Sequence, residues 1–199
     1  MAHTPFSDLL QQDLSRLEKN LRDLISPHIK AKDHLSLLNL ACGRGDETGV
    51  LAKILAEKSN SAHLQGLDIR AAEIDQANSR WKKIRDRRKT EADFIVHRGD
   101  KLLELAEAGT PDIAFLRHQN FWNDKPVWTR IFDQALQRLS EDGHLVITSY
   151  FDKEHELAVE ALTKLGAMQV GSIENDHSRA LSDAPGKSVD KHLAIFRKA

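Results

Sequence analysis

The sequence predicts an α/β protein, a mostly parallel sheet covered by helices on both faces, and three observations carry that prediction. Apolar runs of strand length alternate with amphipathic segments of helix length from residue 35 onward, which is the pattern of right-handed βαβ crossovers. A turn of small residues, Ala41-Cys42-Gly43-Arg44-Gly45, stands directly between the first strand and the first crossover helix. The last two strand-like runs, 168–173 and 192–197, have no helical period between them, so they predict an antiparallel pair at one side of the sheet.

Each element follows in order. Phe6, Leu9, Leu10, Leu14, Leu17, Leu21, Leu24 and Ile25 recur at helical spacing before Pro27, giving an amphipathic leading helix. Residues 35–40 form the first strand, and Val50, Leu51, Ile54 and Leu55 mark the helix after the glycine turn. The alternation repeats with a strand at 63–67, a helix at 70–85, a strand at 93–96, a short helix at 101–108 and a strand at 112–116. A helix at 126–139, a strand at 144–149 after the Glu141-Asp142-Gly143 turn, and a helix at 153–165 complete it. No repeat or linker interrupts the chain, so residues 1–199 read as one domain, with 1–30 as a helical cover and 35–199 as the core.

Composition narrows the function classes. A formal net charge of −1 argues against general electrostatic attachment to nucleic acid or membrane. Cys42, the single cysteine, excludes a disulfide or Cys-rich zinc scaffold and suits a reducing, cytoplasmic setting. No apolar run approaches the roughly 18 residues that span a bilayer, so no membrane association is expected.

The glycine turn marks a place where backbone must approach a ligand closely. From Gly43 the dinucleotide pattern fails at Thr48, and no Walker loop follows. Asp46 and Glu47, which open the next helix, would repel a pyrophosphate. Asp68 ends the second strand about twenty residues beyond the turn, where a carboxylate can accept hydrogen bonds from both ribose hydroxyls. Asp100, on the loop after the third strand, is placed to reach an adenine amino group. The ligand these acids fit is an adenosine without phosphate.

LLNLACGRGDETGVLAKIL, GLDI and HRGD resemble the first three motifs of the class I S-adenosylmethionine-dependent methyltransferases. The resemblance implies a Rossmann-like, seven-stranded sheet in the order 3-2-1-4-5-7-6 with strand 7 antiparallel, preceded here by the extra N-terminal helix. It implies S-adenosylmethionine as cofactor, S-adenosylhomocysteine as product, and methyl transfer by in-line displacement. Cofactor contacts then fall to Asn39, Ala41, Cys42, Gly43, Gly45, Thr48, Asp68, Ile69, Asp100, Lys101 and Arg117. Two positions depart from the family: Asn39 stands where an acid is usual and Ala41 where a glycine opens the motif. Weaker cofactor binding is expected from Asn39, and little effect from Ala41 provided its φ is negative.

The segment after the fourth strand, Arg117-His118-Gln119-Asn120-Phe121-Trp122, is where the family places the acceptor chemistry. His118 and Asn120 are the candidate catalytic residues, His118 as a base where the acceptor atom carries a proton. Phe121, Trp122 and Tyr150 are candidate walls of the acceptor pocket. Cys42 has no base paired with it and reads as a small packing residue. The His177, Arg179 and His192 region shows no metal-ligand spacing, so no metal is expected. The basic run Arg80, Lys82, Lys83, Arg85, Arg87, Arg88 and Lys89 reads as a solvated helix end. The reading is methyl transfer to a small-molecule acceptor; a catalytically silent cofactor-binding protein and an RNA methyltransferase stay open beside it.

Overall fold

Leu17, Leu21, Leu24 and Ile25 are buried along one face of helix α1 (Pro5–Ile25), as their three- and four-residue spacing requires. The structure is a computed structural model that describes residues 5–84 and 89–198; Arg85, Arg87 and Arg88 of the basic run lie outside them. After α1 come β1 (Lys32–Leu40), α2 (Thr48–Lys58), β2 (Ser59–Asp68), α3 (Ala71–Lys83), β3 (Thr90–Val96), β4 (Ile113–Leu116), α4 (Lys125–Arg138), β5 (His144–Ser149), α5 (Asp152–Lys164), β6 (Ala167–Glu174) and β7 (His192–Lys198). The helix expected at 101–108 is instead two 3-10 turns, Gly99–Glu104 and Ala106–Ala108. Lys101 leaves helical geometry at φ −127° and Gly109 ends the segment at φ +53°, so no α-helical ladder can propagate.

The seven strands form one sheet in the order β3-β2-β1-β4-β5-β7-β6. β1 pairs parallel with β2 and β4, β2 with β3, and β4 with β5, while β7 runs antiparallel to both β5 and β6. This is the expected topology, edge pair included. Asn39 lies beside Gly66 on one side and Phe115 on the other, so β1, β2 and β4 deliver their last residues to one rim. Gly66 is required where it stands, because a Cβ there would come 2.4 Å from the Phe94 ring.

Two cores sandwich the sheet. One joins α1, α2 and α3 to it through residues such as Leu21, Leu55 and Trp81. The other joins α4 and α5 through Phe132, Leu136 and Leu162. Helix α1 therefore completes the first face, packed on α2 and the β6–β7 pair, and is more core than cover. It meets the β6–β7 connection through Arg179, which donates to Asp13 at 2.6 Å. Among the described residues no helix is long and apolar enough to cross a membrane.

Candidate functional site

The site is assembled where β1, β2 and β4 end. The turn after β1 is pinned by the Cys42 amide on Leu67 O at 3.0 Å and the Gly45 amide on Cys42 O at 2.9 Å. Its backbone is left-handed at Ala41 (φ +55°), Gly43 (φ +52°) and Gly45 (φ +63°). Ala41 thus corrects one sequence expectation: its φ is positive, the geometry for which glycine is suited, so the alanine carries strain on the order of 1 kcal/mol.

Glu47 opens α2 with its carboxylate buried, accepting from Asn39 Nδ2 at 2.6 Å and lying 3.6 Å from Arg117 Nη1. Negative charge is therefore already seated at the helix N-terminus where a phosphate would dock. Asn39 Oδ1 is buried with no hydrogen-bond partner, an unused acceptor directly beneath the turn.

Asp68 is only 4% exposed. One of its oxygens accepts from the Arg70 amide (2.9 Å) and Nε (3.0 Å), the other from the Gly43 amide (2.9 Å) and Arg70 Nη2 (3.2 Å). Burial opposes ionisation, but the Arg70 and Gly43 hydrogen bonds outweigh it and hold the carboxyl below its usual range. Asp100 is held low chiefly by bidentate hydrogen bonds from Arg98 at 3.0 and 2.8 Å.

Beyond β4 the chain turns sharply at His118, whose φ is +55°. The His118 amide donates to Thr148 Oγ1 at 2.9 Å, and that hydroxyl donates to Asp190 Oδ1 at 2.9 Å. His118 Nε2 lies 2.9 Å from Asp190 Oδ1 and 3.2 Å from the Asp190 amide; as N–H it donates to the first, and unprotonated it accepts from the second. The imidazole stacks on Tyr150 with ring centroids 4.0 Å apart. Arg117 donates to Asp190 Oδ2 at 2.7 Å. Asp190 is 1% exposed; burial alone would raise its pKa, but His118 and Arg117 pull it far below the carboxylate range. A left-handed residue held by Thr148, Asp190 and Tyr150 is the kind of strain that marks functional positions.

Two adjoining cavities open on this rim. One of about 290 Å³ is lined by Ala41, Cys42, Gly43, Glu47, Arg117 and His118. The other, about 660 Å³, is lined by Asp68, Ile69, Gly99, Asp100, Asn120 and Trp128, with Ala41 and Arg70 shared between the two. Most of the expected cofactor residues are thus gathered. Asn39, Gly45 and Thr48 line neither cavity, Asn39 being buried against Glu47, and Lys101 turns away to Glu104 at 3.2 Å. Phe121 is a correction: it is 4% exposed and stacks on Phe132 at 5.6 Å, a core residue and not a pocket wall. Trp122 is 51% exposed and meets Phe151 edge-on at 5.9 Å; neither it nor Tyr150 lines either cavity. Asn120 falls in the larger cavity, on the nucleoside side. Cys42 is buried, and burial with Glu47 nearby pushes its thiol well up, in line with packing and not nucleophilic chemistry.

Sequence reasoning missed Glu47 as a buried acid, Arg70 as the partner of Asp68, and Asp190 altogether. Asp190 comes from the irregular connection between β6 and β7, where no periodicity signals position.

No family model matches the chain, and no curated protein matches it. Solved structures do. The N-methyltransferase NodS from Bradyrhizobium japonicum WM9 aligns over 100% of this chain and 99% of its own, at 19% identity and TM-score 0.62. DesVI from Streptomyces venezuelae covers 100% of both chains at 11% identity and TM-score 0.66. A SAM-dependent methyltransferase from Methanosarcina mazei covers 87% of this chain and 96% of its own at 14% identity and TM-score 0.65. With the strand order, the antiparallel β7 and the glycine turn at the β1 rim, these likenesses settle the architecture: the chain has the fold of the class I S-adenosylmethionine-dependent methyltransferases.

Proposed function

We propose that the protein transfers a methyl group from S-adenosylmethionine to a small-molecule acceptor. The observation that carries this reading is the pair of joined cavities at the carboxyl rim, one walled by two carboxylates suited to a nucleoside, the other by the glycine turn. The residues fit this cofactor better than a dinucleotide. Asp68 and Asp100 on the larger cavity support contacts to a ribose and an adenine, the buried Glu47 carboxylate at the helix N-terminus disfavours a phosphate, and Asn39 Oδ1 is a buried acceptor without a partner beneath the turn. Bound S-adenosylmethionine would supply an electrophilic methyl group on a sulfonium.

The chain's own part is to align the acceptor, exclude water and take up a proton where the acceptor atom carries one. His118 faces the smaller cavity, with Nε2 fixed by Asp190 and its ring fixed by Tyr150. Nδ1 has no hydrogen-bond partner among the described residues, and with Nε2–H held on Asp190 Oδ1 it is the ring nitrogen free to take that proton. Exposed Trp122 and half-buried Phe151, which follows Tyr150 in the chain, form an aromatic edge suited to a flat or apolar acceptor.

Calorimetry tests the reading. S-adenosylhomocysteine titrated into the full chain should bind with a Kd in the micromolar range, about −8 kcal/mol. Heat absent at about 1 mM ligand overturns it. Binding without turnover on hydroxyl, thiol and amine acceptors would instead favour a silent binding protein.

A further inference from the structure

We propose that Asp152, Glu174 and His192 form a site for one transition-metal dication of the Zn²⁺ type, which clips the base of the β6–β7 connection. The three residues come from three elements. Asp152 is the first residue of α5, Glu174 the last of β6 and His192 the first of β7. Glu174 and His192 are direct partners across the antiparallel pair, so their side chains leave the same face of the sheet at adjacent positions. Asp152 comes over them from the helix, with Oδ1 2.7 Å from His192 Nε2. One ligand atom from each of the three lies within 4.8 Å of the other two. Ligands bound tetrahedrally at about 2.1 Å lie roughly 3.4 Å apart, so small side-chain rotations bring the set to bonding distance.

The Asp152 carboxylate is already paired with a cation of the chain: the Lys191 ammonium sits on its Oδ1, a charge that a metal ion would displace. A second observation supplies room beside two of the three ligands: a cavity of about 540 Å³ is lined by Glu174 and His192 together with His155, though not by Asp152. One imidazole with two carboxylates suits Zn²⁺ over Mg²⁺ or Ca²⁺, which prefer oxygen alone. Linear spacing shows none of this, because the ligands are separated by a helix, a strand and a long connection.

Glu174 and His192 bracket residues 175–191, the stretch that carries Asp190 to His118. A metal bridging them would reinforce the strand pairing that already closes that stretch at its root. The ligands also join the acceptor loop through side chains. The His192 ring stacks on His155 at 4.8 Å, His155 Nδ1 meets Ser149 Oγ at 3.1 Å, Gln119 Nε2 donates to Ser149 Oγ at 2.8 Å, and Gln119 Oε1 accepts from the Phe121 amide at 3.0 Å. The site is thus built to steady the segment opposite His118, whatever the acceptor.

The test needs no cofactor. The full chain, freed of metal with a chelator, is titrated with ZnCl₂ by calorimetry. One equivalent should bind with a Kd of about 1 µM or tighter, and amide exchange across 175–191 should slow. Glu174→Gln and His192→Ala should each weaken uptake by about tenfold or more. Lys191→Met should tighten it, since the competing ammonium is gone. His34→Ala, at an exposed histidine on β1, should change nothing. Glu174 is exposed, so its conservative variant keeps the fold and isolates the ligand effect. Uptake unchanged in both Glu174→Gln and His192→Ala, or none at about 100 µM Zn²⁺, overturns the site.

Discussion

Ala41, Asp68 and Arg70 show how single side chains set the behaviour of this rim. Ala41→Gly should stabilise the protein by about 1 kcal/mol, because it removes a Cβ from a left-handed backbone; a urea midpoint that stays the same or falls contradicts the strain. Asp68→Ala should weaken S-adenosylhomocysteine binding by about 1.5–3 kcal/mol, the loss of a charged double acceptor. Asp100→Ala should cost less, since water can replace a loop contact. Arg70 competes with the ribose for the same carboxylate, and its guanidinium is largely exposed. Arg70→Ala should therefore tighten cofactor binding, by no more than about 1 kcal/mol because the pair is solvent-screened. Calorimetry on the three variants ranks them directly, and looser binding in Arg70→Ala would show that the arginine serves the ligand instead.

At the level of elements, adjacent residues of the loop after β4 should part company. Phe121→Ala opens a hole against Phe132 and should cost about 3–5 kcal/mol in unfolding free energy. Trp122→Ala should leave stability within about 0.5 kcal/mol while lowering methyl transfer once an acceptor is in hand, because only the exposed edge is lost. Helix α1 belongs with the core. Leu21→Ala should cost about 2–5 kcal/mol, which a peripheral cover would not show. His144, at the start of β5, is kept neutral mainly by burial, with His28 and Arg197 adding to the effect. Its pKa is lowered in the fold, so the unfolded chain binds the proton first as pH drops below the ordinary value of 6.5. Stability should accordingly decline as pH falls through that range, and His144→Gln should flatten the decline in urea titrations.

Over the whole molecule, the alternation of apolar runs with helical periods was enough to place every strand and every α-helix, because sheet and helix repeats of two and 3.6 residues are local properties. The sheet order was legible through the motif resemblance, and the terminal pair through the missing helical period alone. What escaped is long-range or conformational. The sign of φ at Ala41 depends on a turn clamped by Leu67 O. Phe121 and Trp122 are neighbours in the chain, and only the packing of Phe132 decides which of them is buried. Asp190 reaches His118 across 72 residues of sequence, a separation at which composition says nothing about contact. The glycine turn and the two acids were readable because a backbone that must approach a ligand closely restricts residue type within a few positions.

The place of β7 between β5 and β6 has a consequence for how the chain is made. During synthesis, β1 to β5 can pair as soon as they leave the ribosome, but β6 has no neighbour until β7 emerges. Until then β5 presents an open strand edge, and β6 carries unpaired backbone groups. Leu193, Ala194, Ile195 and Phe196 are each fully buried in the finished sheet, so the strand that seals it is also the most apolar one to arrive late. A chain truncated after residue 191, which lacks β7, should aggregate or engage chaperones where the full chain does not.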